Sequence, residues 1–67
     1  MKVKFDKETD TLYFRLNEKS IIESEEIQPG VILDYDKDNQ VVGVEFLKVS
    51  MRTDAEQLSS MHFQTAG

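Results

Sequence analysis

Apolar and polar residues alternate strictly in two places near the start of the chain. In residues 2–6, KVKFD, Val3 and Phe5 point one way and Lys2 and Lys4 the other. In residues 11–16, TLYFRL, Leu12, Phe14 and Leu16 share a side opposite Thr11, Tyr13 and Arg15. A period of two, carried by aromatic and branched side chains, marks strands. The KETD between them is a short polar loop. If Asp6 faces Thr11, then Phe5 meets Leu12 and Val3 meets Phe14, so both apolar sets fall on one side of a hairpin.

The pattern is looser over residues 21–27, where isoleucines at both ends favour a strand and Glu23, Glu25 and Glu26 would suit a helix equally. Pro29 and Gly30 follow at once. They fill the two central positions of a type II turn from Gln28 to Val31, because glycine accepts the positive φ needed there. A third strand over 21–27 therefore turns into a fourth over 31–36. Tight pairing across that turn would set Glu25 beside Asp34, an unfavourable pair. The third strand is thus expected to splay, to bulge, or to lie at an edge where its charges discourage aggregation. Residues 40–47, QVVGVEFL, make a fifth strand, in which Gly43 signals a bulge or close packing against a bulky neighbour.

Beyond residue 50 the period changes. Thr53 and Glu56 fit a capping box, Asp54 and Glu56 suit a helix start, and Ala55, Leu58 and Met61 or His62 recur at three-to-four spacing. These signals predict a helix over 54–61, with 63–67 fraying. The predicted fold is α+β: one domain over 1–67, a small antiparallel β-meander of about five strands with one short C-terminal helix.

The chain has 67 residues, so its core alone supplies only about 3–5 kcal/mol. There are no cysteines, which removes disulfides and thiolate metal sites. Reinforcement is left to a second subunit or to an ion. Eight basic against thirteen acidic residues give a net charge of −5, too few cations for phosphate neutralisation, so nucleic acid is not an expected partner. No apolar run is long enough to span a membrane, and the N-terminus turns acidic where a signal peptide would be apolar; a cytoplasmic location is expected.

Residues 34–45, DYDKDNQVVGVE, place Asp34, Asp36, Asp38 and Glu45 at positions 1, 3, 5 and 12 of an EF-hand calcium loop. Such a loop needs flanking helices. Pro29 and Gly30 would interrupt the entering one, and Val41, Val42, Val44 and Phe46 are strand-like where the exiting one would be. A hairpin fits better: Asp36-Lys37-Asp38-Asn39 suits a type I turn closed by a left-handed Asn39, with Asp36 facing Gln40 and Ile32 facing Val44. Calcium or small-ligand binding by Asp34, Asp36 and Asp38 remains the alternative, and no cofactor is expected. His62 stands alone, Ser50, Ser59 and Ser60 read as helix-cap or helix-surface residues, and Asp6, Glu8 and Asp10 flank a turn. No nucleophile framework or carboxylate cleft emerges, and an enzyme is not expected.

In that register one face of the last hairpin carries Val31, Leu33, Tyr35, Val41 and Leu47, and the other Ile32, Val42, Val44 and Phe46. One short helix cannot cover both, which predicts self-association or a protein partner. The fragments FDKETDTLYFRL and ESEEIQPGVILDYDKDNQVVGVEFL, in this order and spacing, closely resemble the domain of unknown function 2283, a family of small bacterial and archaeal proteins. The resemblance covers residues 1–50. Departures are Asn39 where the family often has Gly, and Val44-Glu45-Phe46 for an Ile-Glu-Ile element; both keep the hairpin chemistry. The resemblance implies a compact antiparallel β domain of no established activity. It also implies an association of some relatives with small messenger-RNA-cleaving toxin-like proteins, which makes them candidate antitoxins. The expected function is a protein–protein interaction module: a homo-oligomer, or the partner of a small basic toxin-like protein. Glu23, Glu25, Glu26, Leu33, Tyr35 and Phe46 are the expected contact residues.

Overall fold

The structure, a computed structural model, describes residues 1–61; His62 and the fraying expected of 63–67 lie outside them. Five strands form one antiparallel sheet: β1 (Lys2–Asp6), β2 (Thr11–Arg15), β3 (Glu23–Gln28), β4 (Val31–Tyr35) and β5 (Val41–Leu47). A 3-10 turn (Val49–Met51) and a short helix, α1 (Ala55–Ser59), follow. The order across the sheet is β1-β2-β5-β4-β3. Strands β3, β4 and β5 run as a meander, and the β1–β2 hairpin joins it through β5. Residues 16–22 therefore cross from one side of the sheet to the far edge. Arg15 secures that crossing: its side chain donates to the carbonyls of Asn17 (2.7 Å) and Lys19. Among the described residues no helix is long and apolar enough to cross a membrane.

The first hairpin has the register its alternation requires, Phe5 opposite Leu12 and Val3 opposite Phe14. Gly30 has a φ of 81°, as a glycine closing a type II turn should. Asn39 has a φ of 60°, and its amide donates to the Asp36 carbonyl at 3.0 Å, while the Asp36 amide donates to Gln40 at 2.9 Å, closing the last hairpin as a type I turn with a left-handed residue.

Two bulges alter what lies beyond those turns. In β3 the pairing shifts between Glu26 and Gln28, so Ser24, not Glu25, stands opposite Asp34. The unfavourable carboxylate pair is thereby avoided. In β5 the pairing shifts at Val42: Tyr35 meets Val41, but Asp34 meets Gly43 and Leu33 meets Val44. Ile32 accordingly faces Glu45 rather than Val44. The expectation of two apolar faces on this hairpin fails for that reason. The extra residue turns Val44 and Phe46 onto the side of Leu33 and Val31, and leaves Asp34, Gly43 and Glu45 on the other.

The sheet therefore has one apolar face, bearing Val3, Phe5, Leu12, Phe14, Val31, Leu33, Val44 and Phe46, and one largely polar face. The end of the apolar face nearest the β1–β2 turn is partly covered, with Phe5 still 38% exposed. Phe5 lines a groove with Ala55 and Leu58, and the Arg52 guanidinium lies 6.0 Å from the centre of the Phe46 ring while donating to the Pro29 carbonyl at 2.8 Å. Asp10 ties this strap down across 40 residues, accepting from the Ser50 amide (3.0 Å) and hydroxyl (2.6 Å). The cap of α1 differs from the expected Thr53 box: Asp54 is the N-cap and accepts from the Gln57 amide at 2.9 Å. Among the described residues the buried apolar core is small: Leu12, Val31, Val42 and Val49, of which Val42 is completely enclosed.

Candidate functional site

The other end of the apolar face is open. Its central row runs Val3, Phe14, Val44, Leu33 across four strands and ends at Glu25 on β3. The next row outward includes Leu16, Tyr35 and Val41 and ends at Glu23. Val3, Phe14, Leu33, Tyr35 and Val44 are half-buried, while Leu16 and Val41 are exposed. The molecule measures 37 × 33 × 18 Å, and among the described residues no helix or other strand packs as a second layer over this half; the 16–22 crossing passes its outer end, where the Leu16 amide donates to the Val42 carbonyl and the Ile22 amide to the Tyr35 carbonyl, each at 2.8 Å. A sheet face of this kind normally packs on a second layer.

Of the residues expected to meet a partner, Glu23, Glu25, Leu33 and Tyr35 come together at one corner of this open half. Phe46 sits deeper, under Arg52, and reaches the open rows through Phe14, whose ring it meets edge-on at 6.3 Å and 88°. Glu26 is placed elsewhere: it pairs with Ile32 on the polar face, and its carboxylate accepts from the Gly30 amide at 3.2 Å. All six residues of β3 are exposed, and its outer side is a free sheet edge guarded by three glutamates. Phe14 and Val44 belong to this surface as well; alternation along the sequence places Val44 on the face opposite Leu33, and the structure places it beside Leu33.

The polar face has its own organised cluster. The Tyr13 hydroxyl donates to one oxygen of Asp34 at 2.8 Å, and the Ser24 hydroxyl donates to the other at 2.6 Å. The chain of side chains crosses from β2 to β3 over Gly43, whose missing side chain is what lets Tyr13 lie down on β5. A Cβ at position 43 would stand 2.5 Å from the Tyr13 oxygen and 2.6 Å from Asp34 Oδ2. The glycine's signal in the sequence was sound on both counts, a bulge beside it and a bulky neighbour over it, but nothing there named Tyr13 as the neighbour.

The acidic stretch is distributed by this geometry. Asp34 is buried and engaged by Tyr13 and Ser24. Asp36 is buried in the turn, where Oδ1 accepts from the amides of Asp38 (2.8 Å) and Gln40 (3.0 Å) and Oδ2 has no hydrogen-bond partner. Asp38 is exposed. Among the described residues no three His, Cys, Asp or Glu side chains gather as a metal would require.

Two groups here titrate away from their ordinary values. The Gln40 amide, seconded by Asp38 and by the charges of Lys19 and Lys37, lowers Asp36 below 3.8 against an opposing contribution from burial. Burial raises Tyr13 above 10.0, Asp34 reinforces that, and Arg15 acts against it. A lowered carboxyl stabilises the fold above its unfolded pKa and loses that contribution as pH falls through the folded value; a raised phenol stabilises it below 10.0 and loses that contribution as pH rises further. Thermal melts across pH are therefore expected to fall off below pH 3.8 and above pH 10.0. Asp36→Asn, which keeps an acceptor but not the charge, should flatten the acid limb only, and Tyr13→Phe should flatten the alkaline limb. Unchanged limbs in the two variants would disprove these assignments.

A family model described as Protein of unknown function (DUF2283) matches residues 2–50. That span takes in all five strands, both bulges and the open half of the apolar face. No curated protein and no solved structure matches the chain.

Proposed function

Since the chain belongs to the family of proteins of unknown function DUF2283, whose description names no activity, we propose from its geometry that it is a protein–protein interaction module whose open apolar half-face is covered by a second protein surface. The observation that carries this reading is the row Val3, Phe14, Val44 and Leu33, half-buried side chains over which, among the described residues, no helix or other strand packs as a second layer. A partner surface completes the second layer and adds burial to a core that, among the described residues, holds four buried apolar side chains. Glu23 and Glu25 border the rows, so the surface that fits is apolar at its centre and cationic along one side. A calcium- or small-ligand-binding module built on Asp34, Asp36 and Asp38 has less support, because Asp34 is committed to the sheet network and one oxygen of Asp36 to the turn.

A photo-reactive amino acid in place of Leu33 tests the reading. It is expected to give protein adducts in cells, while the same group in place of Glu45, on the polar face, gives few. Absence of adducts at position 33, or equal yields at both positions, would overturn it.

A further inference from the structure

Resting on that reading, we infer that the occupant of the open half-face is a second copy of this chain, packed face to face about a two-fold axis parallel to the strands, so that β1 of each copy lies over β3 of the other. Area is the first argument. The chain exposes 5398 Å², whereas a compact chain of 7.7 kDa exposes roughly 4,300 Å². The excess, roughly 1,100 Å² over the whole chain, includes the open half-face, and a standard interface buries ~800 Å² per partner. A second copy also presents an apolar half-face of the same size, which two packed sheets bring together at a spacing of about 10 Å.

Charge selects the orientation. The two edges of this sheet are opposite in sign: β3 carries Glu23, Glu25 and Glu26, and β1 carries Lys2 and Lys4. A two-fold axis lying across the strands would stack β3 on β3 and β1 on β1, setting like charges together on both sides. The axis along the strands sets Glu23 and Glu25 of each copy over β1 of the other. Lys2 and Lys4 flank Val3 on the polar face of this edge strand, opposite Arg15 and Tyr13, so in the dimer their long stems turn round the free edge to meet the partner's glutamates. The same glutamates disfavour edge-to-edge pairing of β3 with β3, so face-to-face closure ends the assembly at two copies.

The test uses two charge-reversed forms of the full chain, Glu23→Lys/Glu25→Lys and Lys2→Glu/Lys4→Glu. All four positions are exposed, and circular dichroism confirms that each form is folded. By light scattering the wild type is expected to be a dimer at micromolar concentration. Each reversed form alone should dissociate roughly tenfold more readily or worse, since reversal makes both symmetry-related contacts repulsive. An equimolar mixture should recover the wild-type affinity, because every β1–β3 contact then pairs opposite charges. The glutamate-reversed form dimerising like the wild type, or a mixture that does not recover, would overturn the arrangement. A monomeric wild type whose position-33 adducts have the mass of another protein would refute the second copy and leave the interaction reading standing. A monomeric wild type without adducts would remove both.

Discussion

Gly43→Ala is expected to lower the melting temperature by roughly 10–20 °C, an unusually large response to one methyl group, given about 4–8 °C per kcal/mol in a domain of this size. The added Cβ would fall 2.5 Å from the Tyr13 oxygen, 2.6 Å from Asp34 Oδ2 and 3.2 Å from Tyr13 Cζ. The backbone of β5 cannot yield, because it is held on both sides by β2 and β4. Tyr13 must therefore lift away, and its hydrogen bond to Asp34 goes with it. Asp34 is 8% exposed and would keep only the Ser24 hydroxyl. Losing a hydrogen bond to a buried charged group costs roughly 1.5–3 kcal/mol, and residual crowding adds to it. Tyr13→Phe in the same chain removes the nearest clashing atom. The double variant should then be more stable than the two single losses added together, by about 1 kcal/mol or more. Strict additivity would mean that Tyr13 is not what excludes a side chain at position 43.

How far the sequence discloses this arrangement depends on whether each step leaves a chemical trace. The first hairpin does, because its apolar and polar residues alternate without a break and only one register aligns Phe5 with Leu12. The turns do as well: Pro29-Gly30 and Asp36 through Asn39 are residues chosen for unusual backbone angles, and Gly30 and Asn39 adopt them. The bulge at Val42 leaves almost none. In Val41-Val42-Gly43-Val44 every residue is strand-compatible and none is strongly polar, so an extra residue disturbs no visible alternation. One extra residue inverts every face assignment after it, so simple alternation places Val44 and Phe46 on the wrong side. Glu45 held the correcting information: a carboxylate beside two presumed buried positions is better placed on the polar face, where it faces Ile32 and Tyr13. Thr53 and Asp54 are both good caps, and composition cannot rank neighbours; Asp54 has the extended backbone a cap needs, with φ −98° and ψ 171°. The surface proposed for binding was legible in part, through Leu33, Tyr35 and the glutamates. Phe14 and Val44 became visible only with the pairing of β2 to β5, a contact between distant segments that no local pattern encodes.

Val42→Asp is expected to leave the chain unfolded at room temperature, and Val42→Ala to remove about 2 kcal/mol through two lost methyl groups and the space they vacate. Val42, at the bulge that sets the register, is 0% exposed. An unpaired carboxylate there costs several kcal/mol, and the whole core supplies only about 3–5 kcal/mol. Ile22→Ala, at a residue 67% exposed, should by contrast stay within about 0.5 kcal/mol of the wild type. Urea titrations of the three variants at two protein concentrations check more than the ranking. If a second copy covers the open face, folding and association are linked, and the denaturation midpoint rises with protein concentration. Val42→Ala would then be destabilised at low concentration and partly restored at high concentration, since its outer surface is intact. A midpoint independent of concentration would mean that the chain's own small core suffices to hold the sheet together alone.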